Sequence, residues 1–265
     1  MRFSNNYLNK FLVGSFFIAT TSCQITSISN EEQRSEPQTD TLHSEIITEE
    51  IIDSVAITAT ATYTDIEAHL IKMGLVNIQE LEPSIKVDLR YSSSNNFMKT
   101  DVYGDWENAY LQPDVAEKLV LAQMLLKSKF LHYSLLVLDA ARPMSVQYKM
   151  WKMLDMPASE KIKYLSNPLN GSLHNYGAAV DLTIVNEMGE ELDMGTEYDF
   201  FGEEAHPAKE MQMLLEGKLT EEQINNRKLL REVMLKAGFS QLPTEWWHFN
   251  SCSRPEAIQK YQIIP

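Results

Sequence analysis

Ser172-Leu-His-Asn-Tyr-Gly-Ala-Ala-Val-Asp-Leu-Thr183 is the stretch on which the reading of this chain turns. Residues 178–184 are apolar and β-branched, which predicts a strand carrying Asp181. Period-2 alternation along that strand sends Ala179 and Asp181 to one face. A second segment, Glu245-Trp-Trp-His-Phe249, predicts a final strand over 246–250 carrying His248. The two strands must be neighbours if His174, Asp181 and His248 are to meet. Together the segments offer two imidazoles, one candidate carboxylate ligand and one further carboxylate.

A mononuclear zinc hydrolase requires that set. Zinc takes three protein ligands, with N and O donors at roughly 2.0–2.2 Å, and keeps a fourth position for water. The ion can lower the pKa of that water from about 15.7 to about 7. A carboxylate beside the metal, but not bound to it, can move protons to and from the water and on to a leaving amine. Zinc has no redox chemistry, so the set points to hydrolysis. Taken alone, each segment also fits a blander reading. A histidine and an aspartate with six residues between them are common, and Trp246, Trp247 and Phe249 fit the core face of a buried strand.

The detail and order of the blocks decide between these readings. Ser-x-His-x-x-Gly-x-Ala-x-Asp-Leu-Thr followed by Glu-Trp-Trp-His resembles the D-alanyl-D-alanine dipeptidase family, zinc dipeptidases of vancomycin resistance and cell-wall dipeptide recycling. Asp139-Ala-Ala-Arg-Pro143 resembles the family's Asp-x-x-Arg-Pro turn. Met194-Gly-Thr-Glu-Tyr-Asp-Phe200 resembles its Met-Gly-x-x-Phe-Asp-Phe block. Val87-Asp-Leu-Arg-Tyr91, with Asn96 and Phe97, is similar to its N-terminal strand. The resemblance spans residues from about 75 to 250.

That resemblance implies an α+β fold: a single zinc-peptidase domain with helices packed on a small, mainly antiparallel sheet. It implies one Zn2+ per chain, held by His174, Asp181 and His248, with Glu245 as general base and acid. Arg142 would stabilise the oxyanion, a task for a fixed, permanently charged fork. Asp199 would face the free ammonium of the dipeptide, and Ser172 and Tyr91 would line the substrate pocket. Ala141 departs from the family, which has an aromatic residue before the arginine; the packing around Arg142 is therefore in question. Of the other histidines, His43 and His69 read as surface residues and His132 as structural, while His206 is the nearest rival ligand.

The implied reaction is zinc-dependent hydrolysis of D-Ala-D-Ala to two D-alanines, in cell-wall metabolism or glycopeptide resistance. The alternative is a D,D-carboxypeptidase trimming peptidoglycan stem peptides. A dipeptidase needs an anchor for a free ammonium and walls that exclude longer chains. Asp199 and the segment 195–204 favour it. A non-enzymatic wall binder on the same fold would have lost a ligand or the base, and neither is missing.

Residues 1–23 read as a lipoprotein-type signal peptide. Arg2 and Lys10 flank a short apolar run, 11–20, too short for an ordinary membrane span. Thr21-Ser22 precede Cys23, the expected lipidation site, and the expected location is exported, as a periplasmic or cell-surface lipoprotein anchored to a bacterial membrane. Residues 24–65 read as a polar, acidic tether that buries too little apolar area to offset chain entropy. Residues 66–265, about 200 in all, suit one catalytic domain.

A formal net charge of −14, from 23 Lys+Arg against 37 Asp+Glu, argues against a nucleic-acid surface. The sequence sets no oligomeric state. Two cysteines, Cys23 and Cys252, exclude a disulfide framework if Cys23 carries lipid, and Cys252 is expected as a small buried side chain. Alternation predicts a strand over 85–91. Helices are expected over 113–129, 145–154 and 221–237, and a strand over 133–138. In the first helix Val115, Leu119, Met124 and Leu125 are expected near one face; Ser145 should cap the second, and Gly238 should end the third.

Overall fold

The computed structural model describes residues 64–265. The expected signal peptide, the lipidation site at Cys23, His43 and the tether up to residue 63 lie outside the described residues. Thr64 and Asp65, read from sequence as the end of the tether, instead open the first helix, α1 (Asp65–Lys72). The Thr64 hydroxyl accepts from the Glu67 amide at 3.2 Å while the Glu67 carboxylate accepts from the Thr64 amide at 2.9 Å, a reciprocal cap.

After α1 come β1 (Val76–Asn77), the single turn α2 (Ile78–Leu81) and β2 (Lys86–Val87). The strand expected over 85–91 is cut short, because Arg90–Ser92 turns into a 3-10 helix. That turn swings Tyr91 off the sheet. β3 (Tyr110–Leu111) closes antiparallel on β1. It leads into α3 (Pro113–Lys129), with Pro113 in its first turn, where no amide partner is needed. Val115, Leu119, Ala122 and Leu126 form its buried stripe. Met124, expected on that face, is 60% exposed, because five residues beyond Leu119 is well over one helical turn; Leu125 is half-buried.

β4 (Ser134–Asp139) is buried throughout. α4 (Met144–Met153) begins one residue before the expected start and has Pro143 at its cap position. Ser145 therefore lies inside the helix and donates to the Pro265 carbonyl at 3.2 Å instead of capping. The short α5 (Ala158–Lys161) follows. β5 (Ala179–Val185) is buried at all seven positions because it is the middle strand of the sheet. Next come α6 (Glu210–Leu215) and α7 (Glu221–Lys236), the latter followed by Gly238 at φ +90. β6 (Ser240–Gln241), β7 (His248–Asn250) and α8 (Arg254–Lys260) complete the described chain. Trp246 and Trp247 fall before β7 rather than within it, yet both are buried. Cys252 is half-buried against the main core, not fully buried as expected.

The five-stranded sheet runs β2-β4-β5-β7-β6; β2–β4 is parallel and every other pair antiparallel. With helices packed around it, this is the expected α+β arrangement. Alternation along β5 puts Val180, Leu182 and Ile184 in the main hydrophobic core with Leu135, Val137 and Phe249. Asp181 consequently looks out from the opposite face, where β7 sets His248 directly across from it. A bulge in β4 between Val137 and Asp139 adds one residue to that strand. Asp139, rather than Leu138, therefore stands opposite Asp181.

His174 reaches the same spot from the 3-10 turn Leu173–Tyr176, which stops at Gly177 with φ 62 and ψ 29. A Cβ at Gly177 would lie 2.9 Å from Leu75 Cδ2. Gly177→Ala should therefore carry a left-handed backbone penalty of roughly 1–2 kcal/mol plus displacement of Leu75, lowering Tm by several degrees. Gly189→Ala, also at positive φ but facing open space, should carry only the backbone part. Equal thermal stability of the two variants would show that Leu75 does not constrain the turn.

Candidate metal centre

Three donor atoms converge from three elements. His174 Nε2 lies 3.2 Å from His248 Nδ1 and 3.4 Å from Asp181 Oδ1, and His248 Nδ1 lies 2.9 Å from Asp181 Oδ1. His174 Nδ1 donates to the Ala140 carbonyl at 2.6 Å, so its proton is there and Nε2 carries the lone pair. His248 Nε2 donates to Asn250 Oδ1 at 2.9 Å, which leaves the Nδ1 lone pair facing inward. Two imidazole lone pairs and one carboxylate oxygen thus face each other.

Such a triangle is repulsive unless a positive charge sits within it. Burial alone would raise the Asp181 carboxyl, yet the two imidazoles hold it far below the ordinary carboxylate range. Burial works against charge on His248, but Asp181 and Glu245 outweigh it and push that imidazole up to about 9. The geometry fits a divalent ion. Donors on a tetrahedral centre with bonds of roughly 2.0–2.2 Å stand about 3.3–3.6 Å apart. The observed edges equal or slightly undercut that spacing.

The 3-10 turn is tied to the end of β4, which fixes His174. The Arg142 amide donates to the His174 carbonyl at 2.9 Å. Asn175 Nδ2 donates to the Arg142 carbonyl at 2.8 Å, while Asn175 Oδ1 accepts from the Ser172 amide at 2.6 Å.

All eight residues singled out for the site by sequence border one cavity of about 260 Å³. Glu245 Oε2 lies 3.9 Å from His248 Nδ1, beside the donor triangle without joining it. Burial raises its carboxyl, and Asp181 adds to that rise against the opposing pull of His248. Arg142 is 5% exposed. It pairs with the fully buried Asp139 carboxylate and donates from Nη1 to Gln147 Oε1 at 3.0 Å. Its guanidinium lies 5.1 Å from the Tyr91 ring centroid, so Tyr91 supplies the aromatic surface that Ala141 cannot. Among the described residues, Arg142 Nε has no hydrogen-bond partner.

Tyr91 OH donates to Asp199 Oδ2 at 3.0 Å. Asp199 has φ 60, a conformation unusual for a non-glycine residue. Burial and the charge of Asp181 push its carboxyl well above the ordinary range. Ser172 caps the 3-10 turn beside the cavity wall, with Asn175 reaching back to its amide.

Among the described residues, His174, Asp181 and His248 form the one group spaced to hold a metal ion. His206, the rival ligand, is half-buried in a separate turn and does not join it; His69 and His132 are exposed. Sequence reasoning missed Asn250, although it stands two residues beyond His248 on the same strand face. It also gave no role to Asp139 or Tyr198, both inside quoted blocks: Tyr198 meets Asp181 from another segment, and Asp139 faces its near neighbour Arg142 only because the β4 bulge turns it there.

His174→Ala and His248→Ala should each lose the bound metal. Glu245→Ala should keep it, because Glu245 stands outside the triangle. Metal analysis of the purified variants checks this; an unchanged content in either histidine variant would refute the donor set.

The family model described as D-ala-D-ala dipeptidase matches residues 71–263, which include every residue of this cavity. A D-alanyl-D-alanine dipeptidase of Escherichia coli strain K12 is 28% identical over 175 residues, covering 66% of this chain and 83% of its own length. One from Enterococcus faecalis is 26% identical over 196 residues, covering 69% and 93%. One from Synechocystis is 29% identical over 183 residues, covering 58% and 74%. With the match spanning most of the chain and the donor triangle assembled, the protein belongs to the D-ala-D-ala dipeptidase family of metallopeptidases.

Proposed function

We propose that this enzyme hydrolyses free D-Ala-D-Ala to two D-alanines with one zinc ion held by His174, Asp181 and His248, as part of bacterial cell-wall metabolism or glycopeptide resistance. The observation that carries this reading is the donor triangle with Glu245 beside it but outside it, in a cavity of about 260 Å³. That volume lies near the lower end of the roughly 300–1,000 Å³ of ordinary ligand pockets, in keeping with a small substrate. Bound zinc supplies Lewis acidity toward the scissile carbonyl and acidifies water.

The protein's own side chains do the rest. Glu245 takes a proton from the attacking water and delivers it to the leaving amine as the C–N bond breaks. A carboxyl raised by burial is suited to both halves of that task. Arg142, held by Asp139 and Gln147 and faced by Tyr91, presents a fixed positive charge to the oxygen that becomes negative. Asp199 offers its carboxylate to the free ammonium, since a partly desolvated cation needs a paired negative charge. Ser172 lines the cavity wall and contributes to the substrate pocket.

Purified full-length protein with added zinc should hydrolyse D-Ala-D-Ala and leave N-acetyl-D-Ala-D-Ala nearly untouched. Asp199→Asn should lose activity on the free dipeptide while retaining zinc. Efficient cleavage of the acetylated dipeptide or of a pentapeptide stem would instead identify a D,D-carboxypeptidase.

We also infer that the enzyme is exported and anchored to a membrane through lipid on Cys23. The basic start, the short apolar run and Thr21-Ser22-Cys23 support this, as does a family match that begins only at residue 71. Cys23→Ala should abolish lipid labelling and release the enzyme from the membrane fraction. Labelling that persists without Cys23 would refute the anchor.

A further inference from the structure

Asp181 has two carboxylate oxygens, and the fold treats them differently. Oδ1 belongs to the donor triangle with His174 and His248. Oδ2 accepts a hydrogen bond from the Tyr198 hydroxyl at 3.0 Å. The Asp181 side chain is 5% exposed, so an unpartnered Oδ2 would be a buried, unsatisfied carboxylate oxygen. Tyr198 is in turn fixed by its ring. The ring lies 5.5 Å from the Trp247 centroid and 6.3 Å from that of Tyr91, and it packs against the Leu136, Leu138 and Val185 cluster on the metal face of the sheet. Phenylalanine would fill the same space without the hydroxyl, so the donation to Asp181 can be removed while the ring packing stays.

We infer that Tyr198 is a positioning residue: by holding Oδ2, it keeps Asp181 a one-oxygen ligand and thereby sets the metal affinity of the centre. This rests on the metal site proposed above. Groups that hydrogen-bond to metal ligands orient them, and losing one typically lowers metal affinity about 10–100-fold. Without the hydroxyl, Oδ2 either stays unpaired or turns toward the ion, which changes the coordination number.

The test uses the full chain, stripped of metal, with Tyr198→Phe and Tyr198→Leu. Zinc affinity is read by competition with a chromophoric chelator, and coordination by the visible absorption of the cobalt(II)-loaded protein. Tyr198→Phe should weaken zinc binding about 10–100-fold and alter the cobalt spectrum, and Tyr198→Leu should do no worse, because the hydroxyl is what matters. Affinity and spectrum unchanged in Tyr198→Phe would overturn the inference, as would weakening confined to Tyr198→Leu, which would assign the effect to ring packing. A Tyr198→Phe protein that loses its fold, seen by circular dichroism, would also overturn it, by making the hydroxyl a structural group. Wild-type protein that binds no zinc would refute the metal centre itself, an outcome distinct from all of these.

Discussion

The antiparallel pairing of β5 with β7 in the register Asp181↔His248 is the constraint on which the site depends. A shift of one residue would turn Asp181 or His248 toward the main core and bury the wrong side chains on each face. The register is held by apolar packing on the other side of the same strands. Val180, Leu182, Ile184 and Phe249 are each fully buried there. At roughly 1.5–3 kcal/mol for each such side chain buried, the core holds the two donors in this register.

A second constraint holds the cavity wall that carries Tyr198 and Asp199. The segment from Asp193 to Glu204 has little regular structure and is lashed to α7 instead. Gln223 donates to Asp193 Oδ2, and Asn226 to the Asp193 carbonyl, both at 2.9 Å. Arg227, 1% exposed, donates from Nε to the Met194 carbonyl at 2.6 Å and from Nη1 to the Glu204 carbonyl at 2.8 Å. Burying a guanidinium is costly, and its pKa falls to about 10 through burial, yet at neutral pH it stays charged. Two carbonyls and the Trp246 ring at 6.0 Å offset that cost. Trp246 then donates to Thr196 Oγ1 at 2.8 Å, joining the wall to the residue that follows Glu245.

Asp139 links the two ligand-bearing regions to the cationic one. The β4 bulge sets it opposite Asp181, where it receives Arg142 and the Tyr103 hydroxyl and lies 3.7 Å from His174 Nδ1. A fully buried carboxylate with a cation and a phenol as partners fixes both the charge and the direction of Arg142.

The sequence by itself pointed to the chemistry through its resemblance to the family. His174, Asp181, His248 and Glu245 were legible because their two blocks, in order with the Asp139–Pro143 and Met194–Phe200 blocks, resemble the D-ala-D-ala dipeptidases, while local patterning placed Asp181 on a strand. It also determined the spans of the longer helices to within a residue or so, because apolar spacing is a local property, although Ser145 does not cap α4. Short elements were less legible: the strand expected over 85–91 ends early, and Met124 faces solvent. Tertiary structure alone decided what crosses the chain. The Tyr198–Asp181 bond, the Asp139 bulge, the Tyr91 ring over Arg142 and the Arg227 lashing each join residues whose contact depends on sheet register and loop docking. Periodicity reports which face a residue occupies; only packing of distant segments decides what it meets there.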